Sequence, residues 1–498
     1  MIRLSLLARG QIQIQGRHCL SLPSFTSSPS PVHRVSSFSP RTFSTSWRTL
    51  FPEGTKTGDN TRSSDPFRVA VIGSGPGGFY AAHRILKHLP QASIDMYEAL
   101  PVPHGLVRFG VAPDHPEVKN VMHTFDEVAQ NPNFTFIGNT SVGTFTDSSS
   151  KADLEISDLR PHYDAILLAY GAHEDRLLNV PNEQSLKGVM AARSFVGFYN
   201  GLPSEQNLEI DLSRTDTAVV IGQGNVALDV ARILLTPLEE LKKTDLTEKM
   251  VKILEKSRVK HVYVVGRRGP LEVAFTSKEL REMLNLPDTT FHMDGDLLAS
   301  EMERAGKTLD RPRKRLMGLL EKGIKESKPD QPKSFSLLFL RSPVGFQGGQ
   351  DADSEHLKAI ELGINRLEGE NNNRKAVPTG EKETLDCGLV FRSIGYKSVG
   401  IKDVPFDERK GVIPNMDGKV LDADQKFVSA LPCYWTTGQP MLNGGNGNGV
   451  ETPTHKQGAK PILDLLHSRG HKTVSYQDWK KIEQREFELG AKTGKPRE

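Results

Sequence analysis

Two stretches of the chain join a glycine turn to residues that can hold phosphate. In FRVAVIGSGPGGFYAAHRIL, which starts at Phe67, the glycines Gly73, Gly75 and Gly78 follow an apolar run and precede apolar residues at helical spacing. The first glycine of such a turn bends sharply, the second lets a pyrophosphate approach the backbone, and the third seats the helix on the strand. Free N–H groups at the helix start then face the phosphate. The next strand-like run, ASIDMYE, ends at Glu98, where a carboxylate can accept the hydroxyls of an unphosphorylated ribose. A second copy, DTAVVIGQGNVALDVARILL from Asp216, carries Gly222, Gly224 and Ala227 at the same spacing. The strand after it, VKHVYVVGRRG, ends in Arg267 and Arg268, and a guanidinium pair suits a 2′-phosphate through bidentate, charge-assisted hydrogen bonds.

These residues imply two nucleotides with a division of labour. A site with an acid and no phosphate selector fits FAD, and a site with paired arginines fits NADPH. Flavin takes up a hydride and releases electrons singly, so a protein without a metal of its own can couple the two kinds of transfer. Hydride transfer needs positioning more than an acid–base dyad or a nucleophile.

The elements required are two strand–turn–helix units in an α/β fold, and the chain is long enough to supply them. Its 498 residues allow two or three domains, each with its own core. With 64 Lys+Arg against 61 Asp+Glu the net charge is +3, which argues against a nucleic-acid-wrapping protein. The cysteines Cys19, Cys387 and Cys433 lie far apart, which excludes a C-x-x-C redox pair and a cysteine-held cluster or zinc, so no metal site is expected. No apolar run approaches a membrane-spanning length. Residues 236 to 258 read as a charged, solvated helical insertion.

Between Met1 and Pro52 stand six arginines, no lysine and no acid, among many serines and threonines. This is the composition of a mitochondrial transit segment, expected over residues 1–50, with 51–66 as a linker.

The runs PVPHGLVRFGVAPDHPEVKNV, VIGSGPGGFY, YNGLP, GQGNVALDVARILLTP, VGRRGPLEVAFTSKELREM and RPRKRL resemble the adrenodoxin reductase family from about Phe67 to Val420, and SRGHKTVSYQDWKKIE and TGKPRE resume the resemblance from about Ser468. It implies FAD contacts from Gly73, Ser74, Gly75, Gly77, Gly78, Glu98, Leu106 and Val142. It implies NADP contacts from Gln223, Gly224, Asn225, Val226, Arg267, Arg268 and Glu279, the last either orienting the two arginines or pairing with them. His115 and Asp229 are implied as polar positioning residues, the candidate catalytic pair, where flavin and nicotinamide meet. A basic face with Arg281, Arg311 and Arg315 is implied to receive an acidic [2Fe–2S] ferredoxin of the adrenodoxin type. Arg311 and Arg315 share a face if that stretch is helical. The resemblance further implies a monomer in the mitochondrial matrix, with peripheral association with the inner membrane as an option, serving P450s or iron–sulfur cluster assembly.

After GVIPNMDGKV the family continues with G-W-x-K-R-G-P-T-G-V-I, and this chain does not. Residues 428–467 instead include VSALPCYWTTGQPMLNGGNGNGVETPTHKQGAK, with Trp435, Gly449 and Val450 as the nearest equivalents for flavin contact. The expected architecture is a discontinuous FAD domain, residues 67–173 and 390–498, enclosing an NADP domain at 174–389, with FRSIGYK at 391–397 as the returning strand. Two functional expectations follow. The first is a working NADPH:ferredoxin reductase, and the second is an impaired isoform that binds nucleotide without efficient electron transfer. A disulfide or amide reductase of similar plan is disfavoured by the missing cysteine pair.

Overall fold

The computed structural model describes residues 65–497, apart from 173, 350–352, 370–373, 427 and 429–455. The expected transit segment, Trp435, Gly449 and Val450 lie outside the described residues.

The first domain opens with β1 (Arg68–Ile72), α1 (Pro76–His88) and β2 (Ser93–Tyr97), followed by the short α2 (Leu106–Phe109) and α3 (Pro116–Lys119). Then come α4 (Met122–Ala129), β3 (Phe134–Ile137), α5 (Ile156–Leu159) and β4 (Ala165–Leu168). The four strands form a parallel sheet in the order β3-β2-β1-β4. Strands buried on both faces read as near-continuous apolar runs, which is why RVAVI and AILL carry no alternation. Val69 and Val71 face a core with Phe79 and Phe125, while Ala70 and Ile72 face one with Leu159, Ile462 and Leu466. The second layer therefore comes partly from the distant C-terminal helix α13 (Ala459–Ser468). The last helix, α14 (Tyr476–Thr493), buries Trp479 against Val102 and Phe109.

After β5 (Glu174–Asp175), the second domain runs through β6 (Val189–Ala191), α6 (Ala192–Tyr199), β7 (Thr217–Ile221), α7 (Asn225–Leu235), α8 (Leu238–Leu241), α9 (Glu248–Leu254) and β8 (His261–Val265). It continues with α10 (Ser277–Leu284), β9 (Thr289–Met293), α11 (Gly295–Ala305), α12 (Arg311–Glu326) and β10 (Lys333–Leu338). An antiparallel sheet of β11 (Arg341–Gly348), β12 (Leu357–Glu368) and β13 (Lys375–Asp386) precedes β14 (Leu389–Arg392). The second parallel sheet has the order β6-β14-β7-β8-β10-β9.

Two sequence expectations are corrected. The run 391–397 is not one returning strand. Its first residues belong to β14, held between β6 and β7, because LVF is apolar enough to be buried on both faces. The chain leaves the second sheet after Arg392, and Tyr396–Lys397 forms β15, antiparallel to β5. The stretch 236–258 is not a solvated insertion, since Leu241, Leu246, Met250 and Val251 are buried in the core shared with α7. Most of its charges face outward, while Asp245 turns in to pair with Lys119. Beyond β15 a small hairpin, β16 (Asn415–Met416) and β17 (Lys419–Val420), places Val420 in the first domain's core.

Candidate functional site

Both glycine turns have the geometry that a dinucleotide needs. Gly73 adopts φ 102°, open to glycine at little cost, and a side chain there would meet the Ala169 carbonyl at 2.5 Å. Gly78 lies against the Gly73 carbonyl, which seats α1 on β1. By contrast, a Cβ on Gly75 or Gly77 would meet nothing within 4 Å, so the space over the start of α1 is open to a ligand. Ser74 is fully buried, and its N–H and hydroxyl donate to Glu98 Oε2 at 3.0 and 2.7 Å, while Leu100 N–H donates to Oε1 at 3.0 Å. A carboxylate offers about four acceptor positions, so Glu98 can be held in place and still accept ribose hydroxyls. The His104 N–H donates to Ser74 O at 3.0 Å, which brings Leu106, 53% exposed, beside the turn. Val142 packs from the far side on the core containing Ile72 and Tyr97.

In the second turn Gly222, at φ 129°, lies against the Ser393 carbonyl, and Ala227 is buried where the first copy has Gly78. Gly224 faces open space, and Gln223 packs over Gly266 with its Nε2 unpartnered among the described residues. Asn225 accepts the Thr276 N–H at 2.8 Å, tying α7 to the cap of α10, and Val226 is half-buried beside it. Arg267 and Arg268 are exposed and have no ion-pair partner among the described residues, so both guanidiniums are available to an anion.

His115, Asp229 and Glu279 converge on a residue the sequence reading did not single out. Arg232, buried on α7, donates through Nε and Nη2 to the two oxygens of Asp114 at 2.6 and 3.1 Å. Nη2 also donates to Asp229 at 2.7 Å, and Nη1 donates to Glu279 at 3.1 Å. Glu279 thus has Arg232 as its partner rather than the Arg267–Arg268 pair, because α10 turns it inward. The periodicity could have signalled this, since Asp229 and Arg232 stand one helical turn apart in NVALDVAR. His115 is buried with Nε2 2.7 Å from Glu282 and Nδ1 3.4 Å from Arg232 Nη2. Arginine can only donate, so Nδ1 accepts and the ring proton sits on Nε2, directed at Glu282.

Four carboxylates around one guanidinium set the local electrostatics. Burial pushes Asp229 up to about 6, opposed by Arg232 and helped by Glu279. At Asp114 burial also works upward, but its bonds to Arg232 outweigh it and hold the carboxyl below its usual range. His115, Glu279 and Glu282 bring ligand atoms within 4.8 Å of one another, and Arg232 supplies the cation such a trio attracts. Asp114 and His115 belong to the first domain, and Arg232, Glu279 and Glu282 to the second, so the cluster also joins the domains. Lys119 to Asp245 at 2.7 Å and Arg497 to Asp245 at 2.8 Å extend the seam.

Arg281 on α10 and Arg311 and Arg315 on α12 are exposed and without ion pairs among the described residues. Arg313, from the same basic run, instead turns in and donates to the Val273 carbonyl at 2.7 Å. No helix among the described residues is long and apolar enough to cross a membrane.

Two parallel-sheet nucleotide folds, each opened by a glycine turn, are the plan of a flavin-dependent NADPH oxidoreductase. A model of the pyridine nucleotide-disulphide oxidoreductase family matches residues 67–285. The chain is 46% identical over 462 residues to human mitochondrial NADPH:adrenodoxin oxidoreductase, covering 88% of this chain and 91% of that one. It is 39% identical to the protein of the same name from Arabidopsis thaliana, with 88% and 94% covered. Among solved structures, FprA, an oxidoreductase of Mycobacterium tuberculosis, superposes with a TM-score of 0.75 at 33% identity, covering 87% of this chain and 96% of that one. The chain belongs to the NADPH:adrenodoxin oxidoreductase family.

Proposed function

We propose that this protein passes electrons from NADPH to an acidic [2Fe–2S] ferredoxin of the adrenodoxin type, in mitochondria. The observation that carries it is the asymmetry of the two glycine turns: Glu98 hydrogen-bonded opposite Gly73, and opposite Gly222 an exposed Arg267–Arg268 with no ion-pair partner among the described residues.

The amides over α1, with Ser74 and Glu98, would hold the FAD pyrophosphate and ribose. Those over α7, with Gln223, would hold the NADPH pyrophosphate, and Arg267 and Arg268 its 2′-phosphate. FAD held there would supply the capacity to take a hydride from nicotinamide and to release electrons one at a time. The chain's own work is to bind, orient and keep out competing chemistry. Arg232 fixes the loop carrying His115 against α7, and Asp229 supplies a carboxyl able to hold or release a proton near pH 6.

The ferredoxin face rests on α10 and α12. Arg311, Lys314 and Arg315 are exposed on the first turns of α12, where the helix dipole disfavours positive charge. Placement there against the helix's own preference supports selection for an acidic partner. Such a face speeds encounter and weakens with salt. The monomeric state, the matrix location with optional inner-membrane association, and service to P450s or cluster assembly belong to the same proposal.

A second reading is an impaired isoform, favoured by one observation: the replaced stretch at 428–467, where the family's flavin-closing motif is missing. The test is to purify the chain without residues 1–50, record its visible spectrum, and add NADPH without oxygen. A stoichiometric flavin band that bleaches, followed by reduction of a [2Fe–2S] ferredoxin, supports the reductase. Colourless protein that still binds NADP supports the impaired isoform.

A further inference from the structure

The loop after β8 exposes Arg267 and Arg268 while burying Gly266, Gly269 and Pro270 around them. Recognition by paired guanidiniums demands a fixed fork, so the backbone beneath an exposed pair must be held by something else. In the second domain that support comes from the antiparallel sheet β11–β13, which is no part of the parallel sheet that forms the nucleotide fold.

Asn365 of β12 is buried, 4% exposed, and its Nδ2 donates to the Arg267 carbonyl at 3.2 Å and to Ser342 Oγ at 2.8 Å. Its backbone N–H donates to Leu340 O at 2.8 Å, and Leu340 N–H donates to the Arg268 carbonyl at 3.2 Å. The register of β12 against β13 shifts between Gly363 and Asn365, the kind of irregularity that re-aims a side chain. From the other side, Glu272 Oε2 accepts the Gly269 N–H at 3.0 Å. Glu272 Oε1 is in turn met by Nη1 of buried Arg374, at 3.4 Å, which follows the β12–β13 connection. Arg374 is locked by Glu301 on α11, with Nη2 to Oε1 at 2.9 Å. Both carbonyls of the arginine pair and the amide just beyond it are thus held.

We infer that Asn365 and Arg374 are positioning residues for 2′-phosphate recognition, and that the antiparallel sheet confers preference for the phosphorylated dinucleotide. The inference rests on the proposed role of Arg267 and Arg268. Neither Asn365 nor Arg374 touches the ligand. Each acts through the loop, so its loss should affect ligands with a 2′-phosphate and spare those without.

The experiment titrates 2′,5′-ADP and 5′-AMP calorimetrically into the chain without residues 1–50, as wild type, Asn365→Ala, Arg374→Met and Arg267→Ala/Arg268→Ala. The ratio of kcat/KM for NADPH over NADH is a second readout. Asn365→Ala and Arg374→Met should each weaken 2′,5′-ADP by about tenfold, the scale of one lost hydrogen bond, with 5′-AMP unchanged within about twofold. Arg374→Lys, which keeps a charge beside Glu301 without the fork, should fall between wild type and Arg374→Met, and it serves as the second variant if Asn365→Ala does not fold. Equal weakening of both ligands, or no change while the double arginine variant loses its preference, overturns the positioning role. If the double arginine variant also keeps full preference for 2′,5′-ADP, the assignment of the arginines themselves fails.

Discussion

Arg232, in the second domain, grips both carboxylate oxygens of Asp114, in the first, at 2.6 and 3.1 Å. The same guanidinium reaches Asp229 and Glu279, so one buried cation holds together a loop, a helix and a domain interface. Its side chain is only 4% exposed, which makes the pairing costly to disturb.

Replacing Arg232 with Met should therefore be severe. Removing one partner of a buried ionic group leaves uncompensated charge, a loss of about 3–5 kcal/mol. Thermal and urea unfolding should show a lower midpoint, partly recovered at acid pH where the stranded carboxylates take up protons. A variant as stable as wild type would mean that the cluster is not a structural joint.

Asp229 gives the folded protein a pH signature. Its raised pKa means that the native state keeps a proton which the unfolded chain has released, between roughly pH 4 and the native value of about 6. Stability should fall as pH rises across that window and level off above it. Asp114, shifted downward, has the opposite sign and acts only at more acid pH. Asp229→Asn should flatten the slope between pH 4 and 6 in urea midpoints, and a slope left intact would assign it to another group.

The first glycine turn separates folding from binding. Gly73→Ala places a methyl 2.5 Å from the Ala169 carbonyl at a strained φ, and should cost more than about 2 kcal/mol of stability and abolish flavin retention. Gly75→Ala meets no protein atom within 4 Å, so its melting temperature without flavin should stay near wild type while flavin affinity falls. Equal loss of stability in both variants would contradict an open pyrophosphate seat above α1.

Charge reversal on the basic face tests the partner. Arg311→Glu with Arg315→Glu should raise the KM for a [2Fe–2S] ferredoxin by about tenfold or more, since like charges now face each other, and should flatten its salt dependence. Reduction of ferricyanide by NADPH, which needs no docking face, is the internal control. An unaltered salt profile would move the docking site elsewhere.

Much of this was legible in the residues because it depends on short-range rules. Glycine at a turn, an apolar strand before it and an apolar helical stripe after it are local, so both nucleotide folds could be read directly, as could the strand ends that carry Glu98 and the Arg267–Arg268 pair. The helical run from Arg311 could be anticipated conditionally, since its face follows from spacing once a helix forms. What the chain alone could not disclose depends on distant partners. LVF at 389–391 is apolar whichever sheet takes it, and only its register between β6 and β7 decides. Met250 and Val251 look like ordinary residues of a charged stretch until α9 packs against α6. Glu279 could pair with any nearby arginine, and the packing of α10 on α7 selects Arg232. The clamp on the arginine loop joins residues about a hundred positions apart, Asn365 to Arg267 and Arg374 to Glu272. A buried carboxylate or amide takes whichever partner the fold delivers within hydrogen-bond reach, and that choice exists only once the tertiary structure has formed.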